Sequence, residues 1–129
     1  MLNTKKIFEN TGDKPVVELH KKDITDGRYE VYDSPERHIE FRLHNKKLSL
    51  ACEDYGDDCK FITGKDEYEF YYNLDEENTH HFLASLRTVY GCKKPIGELL
   101  KDVFGCDDGT VKFFNFCQEQ NITTDFHAL

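Results

Sequence analysis

The chain lacks the sequence features that mark exported, membrane-spanning and disulfide-stabilised proteins. Its 129 residues include no tryptophan and only three prolines. No apolar run is long enough to cross a bilayer, so we expect no membrane association. No apolar segment follows the two lysines near Met1, so the pattern is unlike a signal peptide and predicts a cytoplasmic protein. The cysteine count is odd and no pair has CxxC spacing, which argues against a disulfide framework and favours small core residues.

Sequence motifs for catalysis and for cofactor binding are also missing. There is no GxSxG nucleophile elbow, P-loop, GxGxxG or HExxH pattern. An EF-hand is excluded because the acids at Asp54, Asp57 and Asp58 do not have its spacing. We therefore predict a protein that is not an enzyme and that uses no cofactor or metal.

The excess negative charge is confined to one segment, residues 53–77. This segment has ten acidic and two basic residues, a net charge of −8, which equals the net charge of the whole chain. The remaining residues are balanced in charge. An acidic surface repels phosphates, so we expect no direct binding to nucleic acid and expect a basic protein as partner.

The first half of the chain has the alternation of antiparallel strands, and no internal repeat or linker divides it. In residues 38–44, Ile39, Phe41 and Leu43 alternate with polar residues, which predicts a strand with one buried and one wet face. Asp26-Gly27 predicts a hairpin turn, and residues 53–58 read as a polar loop around Gly56. The predicted strands cover residues 28–32, 38–44, 48–53, 59–63 and 67–72, with turns at 33–36 and 45–46.

The second half has helical periodicity. A first helix is predicted from an Asp75 cap to about Tyr90, with Gly91 after its end. A second covers residues 96–104, and a third runs from Asp107 or Asp108 to about Gln120, before a short final strand in residues 122–127. Strands followed by helices predict a single α+β domain over residues 1–129: an antiparallel β-meander with about three helices on one face.

We predict that the acidic segment is the binding surface. If the aromatic face of residues 67–72 is buried, Glu67 and Glu69 point outward together, and Tyr55 and Tyr71 lie among acids as anchors for a basic partner. The function predicted is occlusion of a basic site, as in an immunity protein or antitoxin that neutralises a nuclease-type toxin. The predicted partner-binding residues are Glu53, Asp54, Tyr55, Asp57, Asp58, Asp66, Glu67, Glu69, Tyr71, Asp75 and Glu76.

Two alternatives stay open at this point. One is a small-molecule-binding or enzymatic α+β domain with a pocket between sheet and helices, lined by His20, His38 or Arg42. The other is homo-oligomerisation that buries an exposed strand edge. A pocket would indicate the first alternative, whereas a shallow acidic patch would favour the binding protein.

Overall fold

Five antiparallel strands form one sheet in the computed structural model, which describes residues 19, 21–56, 67–91 and 93–129. The strands neighbour each other in chain order, β1 to β5, and three helices lie between β4 and β5 in sequence. The predicted α+β meander followed by three helices is therefore confirmed. The strands are β1 (Gly27–Asp33), β2 (Arg37–His44), β3 (Lys47–Tyr55), β4 (Glu67–Asn73) and β5 (Asp125–Ala128), and the helices are α1 (Glu76–Tyr90), α2 (Ile96–Phe104) and α3 (Gly109–Glu119).

Local chemistry explains most of these boundaries. Asn45 and Lys46 both have positive φ, so β2 and β3 are joined by the two-residue turn that matches strand twist. Asp75 caps α1 by accepting a hydrogen bond from the Asn78 backbone N–H at 2.8 Å. Gly91 follows α1 with φ of 113°, a conformation that favours glycine.

Two boundaries differ from the prediction. The Asp26-Gly27 pair makes no hairpin, because residues Lys21–Ile24 form a 3₁₀ helix and β1 begins at Gly27. The Asp26 carboxylate instead accepts a hydrogen bond from the Asn45 N–H at 2.9 Å and ties the start of β1 to the β2–β3 turn. The acidic loop expected to begin at residue 53 begins later, because β3 continues to Tyr55. The predicted strand at residues 59–63 lies outside the described residues.

The core lies between one face of the sheet and the helices. Phe41 of β2 packs against Phe82, Phe104 and Phe113, one from each helix, at ring-centroid distances of 6.2, 5.6 and 5.6 Å. Thr79 of α1 is buried, and its hydroxyl accepts a hydrogen bond from the Leu48 N–H at 2.9 Å. Aromatic packing and this bond fix the helices to one face, which we call the helix face. No helix among the described residues has the length and apolar character to cross a membrane.

Candidate functional site

The opposite side of the sheet, which we call the open face, is covered by no helix among the described residues. Side chains on a strand alternate between the two faces, so the register of the ladder assigns each residue to a side. In β2 and β3, Ile39, Phe41 and Leu50 belong to the helix face. The open face carries Arg28, Glu30, Asp33, His38, Glu40, Arg42, Ser49, Ala51, Glu53, Tyr55, Glu67, Glu69, Tyr71 and Asn73.

The centre of the open face is a compensated charge cluster around Glu40. The Arg28 guanidinium donates two hydrogen bonds to the Glu40 carboxylate, at 2.8 and 2.7 Å, and Arg42 donates a third at 3.2 Å. The Glu40 side chain is only 7% exposed, although no described helix covers it. The Arg28 hydrogen bonds lower the pKa of Glu40 to about 2, with Arg42 adding to the effect.

One end of the open face is rich in carboxylates, and we call it the acidic end. It carries Glu30, Asp33, His38, Glu53, Tyr55, Glu67 and Glu69. Glu53 and Glu69 lie directly opposite each other on β3 and β4. The Glu69 carbonyl accepts from the Leu129 N–H, so the backbone groups of Glu69 point to β5 and not to β3. Glu53 and Glu69 are therefore a non-hydrogen-bonded pair, and residues in such pairs lie closer together than those in hydrogen-bonded pairs. Among the described residues, no lysine or arginine forms an ion pair with Glu53, Glu67 or Glu69.

Tyrosine hydroxyls donate hydrogen bonds to the carboxylates of Glu53 and Glu69. Tyr55 donates to Glu53 and Tyr71 donates to Glu69, so the same acid–tyrosine arrangement is repeated on two neighbouring strands. The bond to Glu53 raises the pKa of Tyr55 to about 12. Burial, with help from Glu69, raises the pKa of Tyr71. Both tyrosines therefore remain protonated donors at neutral pH, and both rings are half-buried on the open face.

His38 joins the acidic end to the central cluster. Its Nδ1 lies 3.3 Å from the Asp33 carboxylate and 3.8 Å from Glu30, and its Nε2 lies 3.4 Å from Glu40. The side chain is 18% exposed, and its two ring nitrogens face three carboxylates. His38 is the one described basic group in contact with the acids of β1 at this end.

Five of the eleven predicted site residues meet on the open face: Glu53, Tyr55, Glu67, Glu69 and Tyr71. Asp57, Asp58 and Asp66 lie outside the described residues, and the residues that flank their segment, Gly56 and Glu67, are both at the acidic end.

The other three predicted site residues lie apart from the acidic end. Asp54 points to the helix face, where Arg37 donates to its carboxylate at 2.5 and 2.8 Å. Asp75 and Glu76 are at the start of α1, beyond the opposite end of β4. There Asp75 serves as the helix cap, with a pKa lowered by the Asn78 backbone hydrogen bond, and Glu76 lies 3.9 Å from Lys46.

Sequence reasoning missed Glu30 and Asp33 as members of the acidic end. Alternation along β1 would have placed Glu30 beside Arg28 on the open face. Asp33 could not be placed in the same way, because a β-bulge at Val31 shifts the register between Glu30 and Tyr32 and turns Asp33 to the open face.

Two of the three residues suggested for a small-molecule pocket do not lie between sheet and helices. His38 and Arg42 are on the open face, and His20 lies outside the described residues. The space between β2 and the helices is filled by phenylalanine rings. Scans of the chain against protein-family models, curated proteins and solved structures gave no match. Function is therefore inferred from the side-chain arrangement.

Proposed function

We propose that this chain is a binding protein rather than an enzyme, and that the acidic end of its open face covers a basic site on another protein. The observation that carries the proposal is the opposed Glu53–Glu69 pair, which has no basic partner among the described residues. The class that fits is an occluding inhibitor, such as an immunity protein or antitoxin acting on a nuclease-type toxin in the cytoplasm.

The opposed pair is unfavourable for folding alone and favourable for binding a cation. Like charges directly opposite each other destabilise a sheet, and the short cross-strand spacing increases the effect. A lysine or arginine of a partner, placed between the two carboxylates, would convert this repulsion into two charge-assisted hydrogen bonds. Arginine suits the position best, since its planar guanidinium can bond two carboxylate oxygens at once.

The tyrosines supply the fixed part of the proposed surface. Tyr55 and Tyr71 orient the carboxylates through their hydroxyls, so the acceptors lose little freedom when a partner binds. Their half-buried rings flank the acids and offer the aromatic contact that is enriched in binding hot spots. The surrounding negative field would speed association with a basic protein.

A pull-down from native lysate tests the proposal with two variants of equal net charge. The first, Glu53→Gln/Glu67→Gln/Glu69→Gln, neutralises three carboxylates of the acidic end. The control neutralises three exposed helix residues, Glu98→Gln/Asp102→Asn/Glu119→Gln. We expect a basic protein to be retained in stoichiometric amount by wild type and control, and lost from the open-face variant.

The captured protein must then be inhibited for the proposal to stand. Its own activity, nuclease activity first, is measured while wild-type chain is added, and we expect complete inhibition near a one-to-one ratio. Equal retention by both variants would show that the acidic end is not the binding surface. Retention without inhibition would contradict occlusion.

A further inference from the structure

Among the described residues, the outer edge of β5 is an unprotected strand edge. β5 pairs there with β4 alone, and all four of its residues are exposed. The Leu129 N–H donates to the Glu69 carbonyl at 2.9 Å, so residues 125, 127 and 129 direct their backbone groups toward β4. By alternation, Phe126 and Ala128 direct their N–H and C=O groups outward, where no described strand accepts them. Such an edge is a template for another strand.

An apolar groove accompanies this edge on the helix face. Phe126 is 53% exposed, Val111 of α3 is 56% exposed and Phe114 is 37% exposed, which is unusual for large apolar side chains in a chain whose other aromatics are mostly packed. The groove between α3 and the last two strands has a volume of about 230 Å³ and is lined by Tyr68, Phe70, Tyr72, Val111, Phe114 and Phe126. Backbone edge and apolar groove therefore lie side by side.

The other edge of the sheet is protected. β1 contains the bulge at Val31, which disturbs the regular ladder that an incoming strand would need. Tyr29 of β1 also packs closely against α2 beside Gly97, so the helix covers that side. Sheet extension is therefore favoured at β5.

We propose that β5 pairs with β5 of a second copy of this chain, antiparallel, about a two-fold axis at Phe126. The outward N–H and C=O groups of the two Phe126 residues then bond each other, and the two rings meet over the grooves. This register places Asp125 of each copy directly opposite His127 of the other, on the open face and at the close spacing. That pairing of a carboxylate with an imidazole that can donate to it, present twice by symmetry, selects the second copy over an unrelated apolar strand.

The dimer goes beyond the proposed function and does not depend on it. An axis perpendicular to a continuous sheet keeps both open faces on the same side, so a ten-stranded sheet would display two acidic ends together. Assembly is measured on the purified chain with no partner present, so its failure is distinguishable from failure of partner binding.

The test is a charge reversal with rescue, read as dimer dissociation constant by sedimentation over about a hundredfold range of concentration. His127→Asp places Asp125 opposite an aspartate in both symmetric pairs. We expect the dimer dissociation constant to rise at least about tenfold. Adding Asp125→Lys places a lysine opposite each new aspartate, and we expect the dissociation constant to recover to within about threefold of wild type. His44→Asp, the same substitution at an exposed residue of β2, is the control and should leave the dimer unchanged.

Each outcome decides the proposal. Rescue by the double variant supports the register centred on Phe126. In a register centred on residue 127, the two aspartates of His127→Asp would face each other, and Asp125→Lys would not relieve their repulsion. A wild-type chain that stays monomeric at every concentration overturns the proposal, as does a dimer that His127→Asp leaves intact. Binding of an extended aromatic peptide by a monomeric chain would overturn it in favour of a foreign strand. Circular dichroism of each variant confirms that the exposed substitutions leave the fold intact.

Discussion

Replacing Glu40 by glutamine should destabilise the protein by about 2 kcal/mol at neutral pH. Glu40→Gln keeps the shape of the side chain and removes its charge. The Glu40 carboxylate is 7% exposed and accepts three hydrogen bonds, two from Arg28 and one from Arg42. Few other substitutions on the open face should lower stability by a comparable amount, because most surface ion pairs contribute little.

The structure sets an upper limit on this destabilisation. The Glu40 pKa falls from an ordinary value of 4.5 to about 2, which at about 1.4 kcal/mol per pKa unit gives an upper limit of about 3 kcal/mol. The loss should be smaller than this limit, because Arg28 is 69% exposed and can be hydrated again when its partner is neutral. Glutamine also retains a carbonyl acceptor for one of the guanidinium donors.

The pH dependence separates a charge effect from a packing effect. Because the folded-state pKa of Glu40 is below its ordinary value, its charge stabilises the fold fully above about pH 4.5, and the contribution is lost as the pH falls toward 2. Chemical unfolding of wild type and Glu40→Gln should therefore differ by about 2 kcal/mol at pH 7, and by clearly less at about pH 3.

A matched control is available directly across the ladder. Glu30 is paired with Glu40 in register but is 62% exposed and lies 3.8 Å from one imidazole nitrogen, so Glu30→Gln should change stability by less than about 0.5 kcal/mol. If Glu40→Gln costs no more than this control, or if its cost is the same at pH 7 and pH 3, the reasoning is wrong.

Three further predictions concern the helix side. Asp23→Asn should cost about 3 kcal/mol in urea unfolding, because Asp23 is 1% exposed and pairs at 2.7 Å with Arg87, which is 3% exposed. Gly109→Ala should cost about 1–3 kcal/mol in thermal or urea unfolding, because the new Cβ would lie 2.1 Å from the Phe104 carbonyl oxygen; an unchanged midpoint would contradict that clash. The Cys117 thiol is buried and its pKa is raised to about 12, so a thiol reagent at pH 8 should modify it only after unfolding.

The parts of the fold that follow from local chemistry were predictable from the sequence. The alternation in residues 38–44 and 48–53 identified β2 and β3 and assigned their faces correctly. The Asp75 cap and the glycine after Tyr90 marked both ends of α1. In each case the determining interaction is between residues close in sequence, so the pattern contains the information.

Features set by long-range pairing were not predictable in this way. The register that places Glu53 opposite Glu69 joins residues sixteen apart in sequence, and it decides whether the carboxylates meet. The sequence predicts that Glu53 and Asp54 belong to one binding surface. β3 continues through both, so they point to opposite faces, and Arg37 binds Asp54 on the helix face. A charge total for a segment therefore overstates the charge of the surface that it forms.

Side-chain pattern on α3 shows the same limit at the other edge. Phe113 and Phe116 are buried, whereas Val111 and Phe114 are exposed on the same helix. Helical spacing alone could not say which of two apolar stripes would meet the sheet. Val111 and Phe114 line the groove beside β5, and this placement depends on the pairing of β5 with β4.

The contrast within the open face is the main physical reason to locate function at the acidic end. At the centre, the sequence supplies two arginines to a single carboxylate, and Glu40 is held with low exposure and a strongly lowered pKa. One strand farther along, Glu53 and Glu69 face each other at the close spacing with tyrosine hydroxyls as their described partners. A fold under selection for stability alone could separate these two acids or pair them with a base, as it does for Glu40. Local repulsion that is left in place, on a surface that no described helix covers, is expected where a binding partner completes the charge balance.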